Sequence, residues 1–340
     1  MNRFPLISIV ILNWNGKDFI PSCIRSAKEQ TYPNTEIILV DNASTDGSIE
    51  SIKALFPDLR LIANRENLGY GGGNNRGIRE AGGEYVLVLN NDAEIEKECV
   101  KRLWECMETD ERIGTAAPKI LFYDRKDTVD AAGLAIFADG LSIGRGRSEP
   151  QSKYDHGGEV FCGSGCASLF RREMLDEVGL FDEDFFAYAE DTDLGWRARL
   201  AGWTAYYVPG AVVYHHHSKR FGTYSATKAF LVERNRIWVA LRNFPLPMLF
   251  LSPFHTGLRY LYQGIAVLTR RGAPGKFGEE SSPLLLVPVV LRAFLSGLAG
   301  LPRVLKKRKE IQRRRKISGK ECFRLVRKYG IKAKEIAFKE

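Results

Sequence analysis

The feature that most limits how this chain can fold is a change of hydrophobic period, repeated through its first hundred residues. Apolar runs of strand length, "LISIVIL", "EIILV", "LRLIA" and "YVLVL", alternate with segments whose apolar residues recur at helical spacing. Examples are Ile20, Ile24 and Ala27, and then Ile49, Ile52 and Phe56. Asp18 stands where the first of these helices wants a cap, and Ser48 opens the second. Strand, helix, strand, helix at this spacing predicts parallel pairing with right-handed crossovers. In such sheets ligands sit beyond the carboxyl ends of the strands.

Four polar residues, Asn13, Asn64, Asp41 and Asp92, fall at or just past the ends of these runs, so all four are expected along one sheet edge. The stretch "YVLVLNNDAEI" passes from a core strand straight into Asn90, Asn91, Asp92 and Glu94. Oxygen ligands of this kind suit Mg2+ or Mn2+ held beside phosphate, with Asp92 the candidate ligand. An Asx turn gives Asn91 and Asp92 a purely structural use. The run "GYGGGN" lacks the geometry of a dinucleotide fold, and no phosphate-binding G-x-x-x-x-G-K-[ST] occurs. It reads either as backbone brought close to a nucleotide or as the start of a helix.

The second half supplies complementary groups. In "FFAYAEDTDLGWRARLAGW", Glu190, Asp191 and Asp193 lie in the first turn of a helix, where the helix dipole favours negative charge. Phe186 and Tyr188 precede them, and a carboxylate at such a semi-enclosed rim can take a proton from a hydroxyl nucleophile. "AVVYHHHSKRFG" then puts three histidines at a strand end, with His215 and His217 on one face and His216 on the other, a pattern for metal or phosphate.

Charge and apolar pattern separate the C-terminal part. Residues 301–340 hold 16 Lys or Arg against 4 Glu, so of the net +9 this tail carries +12 and the other 300 residues −3. Such a tail fits an anionic surface, nucleic acid or lipid. Between residues 244 and 302, runs such as "FPLPMLFLSPF", "YLYQGIAVLT" and "PLLLVPVVL" are interrupted by Pro, His255, Arg259 or Arg292, and none reaches the roughly 18 apolar residues of a spanning helix. Leu291, Phe294 or Leu295, Leu298 and Leu301 recur instead at helical spacing ahead of "KKRKEIQRRRK", as in a helix lying among lipid headgroups. A helical subdomain packed on the body or on a second subunit gives the same pattern, which leaves a homo-oligomer open. The six cysteines follow no zinc or disulfide framework, and "MNRFPLISIVILNWNG" is too short in its apolar run for a signal peptide. Both point to a cytoplasmic chain with reduced thiols.

Six stretches, "SIVILNWNG", "ILVDNASTDGS", "NLGYGGGNNRGI", "LNNDAEI", "FFAYAEDTDLGWRARLAGW" and "VVYHHH", occur in the order and spacing of family 2 glycosyltransferases. Over residues 6–244 the chain looks most like their rhamnosyltransferase-like branch. The resemblance implies an α/β fold of the GT-A type with a mostly parallel central sheet, a nucleoside-diphosphate sugar donor, Mg2+ or Mn2+, and inversion at the anomeric carbon. By the same resemblance Asn13, Trp14, Asn15 and Asp41 hold the donor's nucleoside, with Asn42, Gly69 and Asn75 nearby. The family's D-x-D motif falls on Asn90, Asn91 and Asp92; its first Asp is Asn here, which leaves Asp92 the stronger ligand. Asp191, paired with Glu190, matches the catalytic base, and His215 matches the histidine that completes the metal site. The expected organisation is a glycosyltransferase domain at 1–243, an amphipathic membrane-associating region at 244–302 and a basic helical tail at 303–340. The expected enzyme is monotopic on the inner face of the cell membrane and acts on a lipid-linked saccharide in glycan or polysaccharide assembly. A nucleotidyltransferase would want a Gly-rich, Lys-bearing loop where "LNWNGKDF" has one Gly. A nucleic-acid-binding protein would leave the acids and histidines idle, so no nucleic acid partner is expected.

Overall fold

The computed structural model describes residues 4–217, 225–272 and 286–338; the first part of the run "PLLLVPVVL" lies outside these. The chain forms two compact units, one of Met1–Leu134, Gly144–Ala198 and Trp203–Ser218, the other of Ala135–Ile143, Arg199–Gly202 and Lys219–Glu340.

The first unit begins with the expected alternation: β1 (Ile7–Asn13), α1 (Ile20–Lys28), β2 (Thr35–Asp41), α2 (Ser48–Leu55), β3 (Arg60–Ala63), α3 (Gly69–Glu80) and β4 (Tyr85–Asn90). β5 (Ala93–Ile95), α4 (Cys99–Met107), β6 (Ile113–Phe122) and β7 (Val129–Ala131) follow, and then β8 (Leu134–Ile136) and β9 (Ser142–Gly144), a two-stranded sheet that falls mostly in the second unit. Then come β10 (Gly158–Val160), β11 (Ala167–Arg171), α5 (Arg172–Val178), α6 (Glu190–Leu200) and β12 (Thr204–His215). The central sheet has the order β10-β12-β6-β11-β4-β1-β2-β3. β3, β2, β1 and β4 run parallel, as do β6 and β12, while β11 is antiparallel to both β4 and β6. Ile7, Ile9 and Ile11 of β1 pack into the cluster that takes in Ile20 and Ile24 of α1. Val10 is buried on the other face beneath α3, so the strand is covered on both sides, which is why it reads as an unbroken apolar run. The glycines of α3 allow that close approach, since a Cβ at Gly77 would stand 2.5 Å from Val10 Cγ1. Asp18 does not cap α1. Phe19 holds that position without a side-chain bond, and proline in the first turn presets the backbone instead.

The second unit is helical: α7 (Ala226–Asn243), α8 (Leu246–Leu268), α9 (Leu286–Ala299), α10 (Leu301–Arg314), α11 (Gly319–Tyr329) and α12 (Ala333–Phe338). α9 packs on α7, where Trp238 Nε1 donates to Gly297 O at 3.1 Å. α10 closes the C-terminal end of α7. Arg308 donates to Leu241 O and Phe244 O, and Gln312 to Arg242 O and Asn243 O, which partners carbonyls that a helix end otherwise leaves free. Between α7, α8 and the β8–β9 loop lies a buried ionic network. Arg259 donates to Asp139 and Glu233 at 2.8 Å each, Arg236 to Glu233 at 2.6 Å, and Tyr260 to Glu233 at 2.7 Å. Burial alone would raise Glu233, but Arg259 and Arg236 bring it down to about 2.

Candidate functional site

The parallel register puts the strand ends together. Asn13 pairs with Asp41, Leu12 with Asn90, and Asp41 with Ala63, so Asn64 follows on the same edge. The side chains there hold one another. Asn13 Nδ2 donates to Asp41 Oδ1 at 2.8 Å and to Ser48 Oγ at 3.0 Å, and Asn91 Nδ2 donates to Asn13 Oδ1 at 2.8 Å. Ser44 satisfies both Asp41 oxygens, and Asn15, at φ 53, accepts from Thr45 N at 2.7 Å. Asn42 donates to Asn67 and Gly69 O and accepts from Asn64 and Leu68 N. Asn75 ties α3 to Phe181 and Glu183. Of the residues assigned to the donor, Asn13, Asp41, Asn42 and Asn75 are thus buried anchors of the loops, while Trp14, Asn15, Asn90 and Asn91 are half-buried at the edge.

Glu190 and Asp191 sit in the first turn of α6, behind a strained approach: Phe186, Tyr188 and Ala189 all have φ between 64 and 68°. The approach is held on α3. Tyr70 N donates to Phe186 O at 2.6 Å, and Gly69, at φ +72°, lies so close that a Cβ would stand 2.3 Å from that oxygen. From inside α6, Arg197 bonds Asp193 and the carbonyls of Val178, Gly179 and Leu180. Asp191 Oδ2 accepts from Gly165 N at 2.9 Å and Oδ1 from Thr192 N at 2.6 Å; burial still raises its carboxyl above the ordinary aspartate value. Glu190 is only 5% exposed, and its Oε2 has no hydrogen-bond partner. Burial and the neighbouring Asp191 push its carboxyl up to about 8. Glu190 therefore keeps its proton at neutral pH, while Asp191 beside it is the acid held by backbone donors.

Of the three histidines only His215 lies in β12; His216 and His217 follow it, His217 at φ 53°. Pairing of β12 with β5 sets His215 opposite Ala93, and with β6 opposite Phe122. His215 Nε2 lies 3.4 Å from Asp92 Oδ1 and Nδ1 lies 2.9 Å from Asp130 Oδ2. His216 turns away, stacking on Tyr123 at 3.6 Å and bonding Glu94 at 2.8 Å. His217 returns to the first face, with Nε2 2.9 Å from Asp130 Oδ2. Burial would lower His215, but Cys166, Asp130 and Asp92 carry it well above the ordinary histidine value, whereas burial leaves His217 below it. Asp130 was not foreseen. It comes from β7, a three-residue strand, and is delivered by antiparallel pairing with β6, where Ile120 faces Ala131; Arg147 binds its other oxygen. The only sequence signal was a hairpin, "KILFYDRKDTVDA", whose return strand carries an acid.

One ligand atom from each of Asp130, His215 and His217 falls within a 4.8 Å cluster, with Asp92 adjoining through His215. His217 Nε2, buried and with no polar neighbour among the described residues but Asp130 Oδ2 at 2.9 Å, is free to take a cation between the two. Two imidazoles and two carboxylates suit a divalent ion such as Mn2+. The turn before β11 runs from this centre to α6: Gly165 N bonds Asp191, and the next residue, Cys166, is among the groups whose electrostatics act on His215.

Comparison with known proteins agrees with this geometry. The family described as Glycosyl transferase family 2 matches residues 8–179. The N-acetylglucosaminyl-diphospho-decaprenol L-rhamnosyltransferase of Mycobacterium tuberculosis is 27% identical over 264 residues, 68% of this chain and 86% of that one. The putative glycosyltransferase EpsH of Bacillus subtilis is 26% identical over 256 residues, 68% and 71% of the two chains. Among solved structures, GalNAc-T7 with UDP, GalNAc and Mn2+ superposes with TM-score 0.59 at 19% identity, over 71% of this chain and 48% of its own. The mannosyltransferase PcManGT of Pyrobaculum calidifontis, with GDP-Man and Mn2+, gives 0.53 at 17%, covering 87% and 88%. At these identities the two structures bear on the fold, which is GT-A.

Proposed function

The chain belongs to glycosyl transferase family 2, within which it is rhamnosyltransferase-like, and we propose that it moves a sugar from a nucleoside-diphosphate donor to a hydroxyl of a lipid-linked saccharide, with inversion. The observation that carries this reading is the gathering of Asp92, Asp130, His215 and His217 into one carboxylate–imidazole cluster, together with a buried carboxylate, Asp191, held by Gly165 N.

Asp191 takes the proton from the acceptor hydroxyl as that oxygen attacks opposite the leaving group. Its raised proton affinity suits a general base, and the Gly165 and Thr192 donors fix its direction. Glu190, neutral beside it, adds no second charge to repel the donor. Asp92, Asp130, His215 and His217 would hold a divalent cation, Mg2+ or Mn2+, which when bound offsets charge on the departing diphosphate. Asn13, Trp14, Asn15 and Asp41, with Asn42, Gly69, Asn75, Asn90 and Asn91, shape the edge that receives the nucleoside. One displacement suffices, and no covalent intermediate is formed.

The acceptor reading follows the rhamnosyltransferase of Mycobacterium tuberculosis, whose name specifies a diphospho-decaprenol acceptor. It also fits a chain working at the cytoplasmic leaflet. Among the described residues no single helix is long and apolar enough to cross a membrane; only the pair Val287–Ala299 and Leu301–Arg314, bent by 62°, passes by length and composition. Leu291, Phe294, Leu295 and Leu298 stand exposed together on α9, ahead of the basic α10, as in a helix lying among anionic headgroups.

A panel of purified nucleotide sugars, each with Mg2+ or Mn2+, tests the activity by donor hydrolysis and then by transfer to a saccharide on a polyprenyl diphosphate. No turnover of any donor with either ion would overturn it. Flotation with anionic vesicles tests the membrane reading, which fails if the full chain stays unbound at low salt.

A further inference from the structure

Exposed apolar surface is concentrated in one part of this chain. Of the 20 large apolar side chains that stand exposed among the described residues, 13 lie between Leu246 and Leu305. α8 is the extreme case. Leu246, Phe250, Phe254, Gly257, Leu261, Ile265 and Leu268 succeed one another at steps of three or four residues, with Phe250 81% and Leu268 86% exposed. Every exposed position in the helix is an aliphatic or aromatic residue, Gly or Pro. Its hydrogen-bonding residues face inward, Ser252, Thr256 and Arg259 among them, with Arg259 bound to Asp139 and Glu233. The amphipathicity of a water-facing helix is inverted.

We propose that α8 lies lengthwise in the acyl region of an anionic leaflet, its exposed stripe in contact with lipid chains. This rests on the membrane reading above and adds which element enters and by what force. A face made for a protein partner carries charged and polar groups around its edge, whereas the exposed positions along these 23 residues, about 34 Å, include no charged or hydrogen-bonding side chain. The most deeply buried polar groups, Arg259 among them, are paired within the protein, and half-exposed His255, Tyr262 and Gln263 flank the stripe where headgroups and water can reach them. Charge completes the match. Exposed Arg270 and Arg271 follow the stripe directly, and α10 and α11 expose Lys306, Lys309, Arg313, Lys320 and Arg324 against Glu310 and Glu321, a balance suited to anionic headgroups. The basic residues draw the chain to the surface, and α8 makes the contact that salt does not release.

The test uses the full chain with vesicles of phosphatidylcholine and phosphatidylglycerol. Phe250→Cys and Phe254→Cys carry an environment-sensitive label, and Lys53→Cys on α2 serves as control. At high salt the labels at 250 and 254 are expected to shift to the blue and be quenched by lipids brominated along the acyl chain, and the label at 53 to do neither. Phe250→Glu with Phe254→Glu should lower high-salt partitioning roughly a hundredfold while leaving donor hydrolysis unchanged. A chain that floats with both α8 labels unquenched would overturn this proposal and leave the membrane reading standing. A chain that does not float at all would remove both. A stable dimer without vesicles that shields the same labels would assign the stripe to a second copy and overturn the proposal.

Discussion

Replacing Glu190 by Gln should make the protein more stable at neutral pH and leave transfer largely intact. The folded chain holds this carboxyl at about 8 against an ordinary 4.5, because burial and Asp191 disfavour its charge. A raised acid favours the fold where it is protonated in both states, and that advantage is lost as pH climbs from 4.5 towards 8, since over this range the unfolded chain has released the proton and the folded chain has not. At about 1.4 kcal/mol per unit, the penalty reaches roughly 3 kcal/mol by pH 7. Gln has the same shape and no charge, so the variant escapes the penalty, less what its buried amide costs where Oε2 already lacks a partner. Melting temperatures of wild type and E190Q from pH 5 to pH 9 are the assay; the difference between the two curves cancels every other titrating group. The curves should lie together near pH 4.5 and diverge steadily to pH 8, with the variant higher, while transfer at pH 7 stays within a few fold of wild type, since Gln is as neutral as the protonated Glu190. Parallel curves across this range would refute the account of Glu190 as a neutral acid held against its own tendency to ionise.

Asp191→Asn should leave donor binding nearly intact and cut transfer on the order of a hundredfold or more; a variant with over a tenth of wild-type turnover would dismiss Asp191 as the base. Asp130→Asn and His217→Ala should each weaken Mn2+ binding measured by calorimetry with donor present, and His216→Ala, bonded to Glu94 and stacked on Tyr123, should not; equal losses at all three would contradict the two-faced arrangement. Gly69→Ala forces a Cβ against the Phe186 carbonyl at φ +72° and should cost on the order of 2 kcal/mol or more in chemical unfolding, a result that an unchanged midpoint would deny. Arg259→Met strands Asp139 and Glu233 in the interior of the second unit and should cost about 3–5 kcal/mol, read as a lower melting temperature.

The parallel half of the sheet was legible because its central strands β1 and β4 are buried on both faces and its turns carry polar residues at regular intervals. Asp92 and His215 could be paired in advance, since both end apolar runs and alternation along a strand says which histidines share a face. Asp130 could not. It stands 38 residues from Asp92 and 85 from His215, on a strand too short to show a period, and only the β6–β7 pairing brings it in. Asn13, Asp41 and Asn42 illustrate a second limit: a sequence shows that polar groups converge but not that they satisfy one another. A third limit is the direction of α8, because an apolar stripe looks the same in sequence whether it points into the protein or out of it.

The turn at residues 163–166 also bears on how such enzymes can be recombined. Gly165 N in this turn holds the candidate base, and Cys166 O accepts from Asn90 N, two residues before Asp92, which stands 3.4 Å from His215. A graft that exchanged α6 for its counterpart from another glycosyltransferase would have to bring this turn with it. Otherwise the carboxylate would be aimed by one parent's backbone and the imidazole by the other's. Acceptor and donor preferences are therefore not independently exchangeable parts along this stretch of the chain, and the smallest transferable piece runs from residue 163 through the first turn of α6.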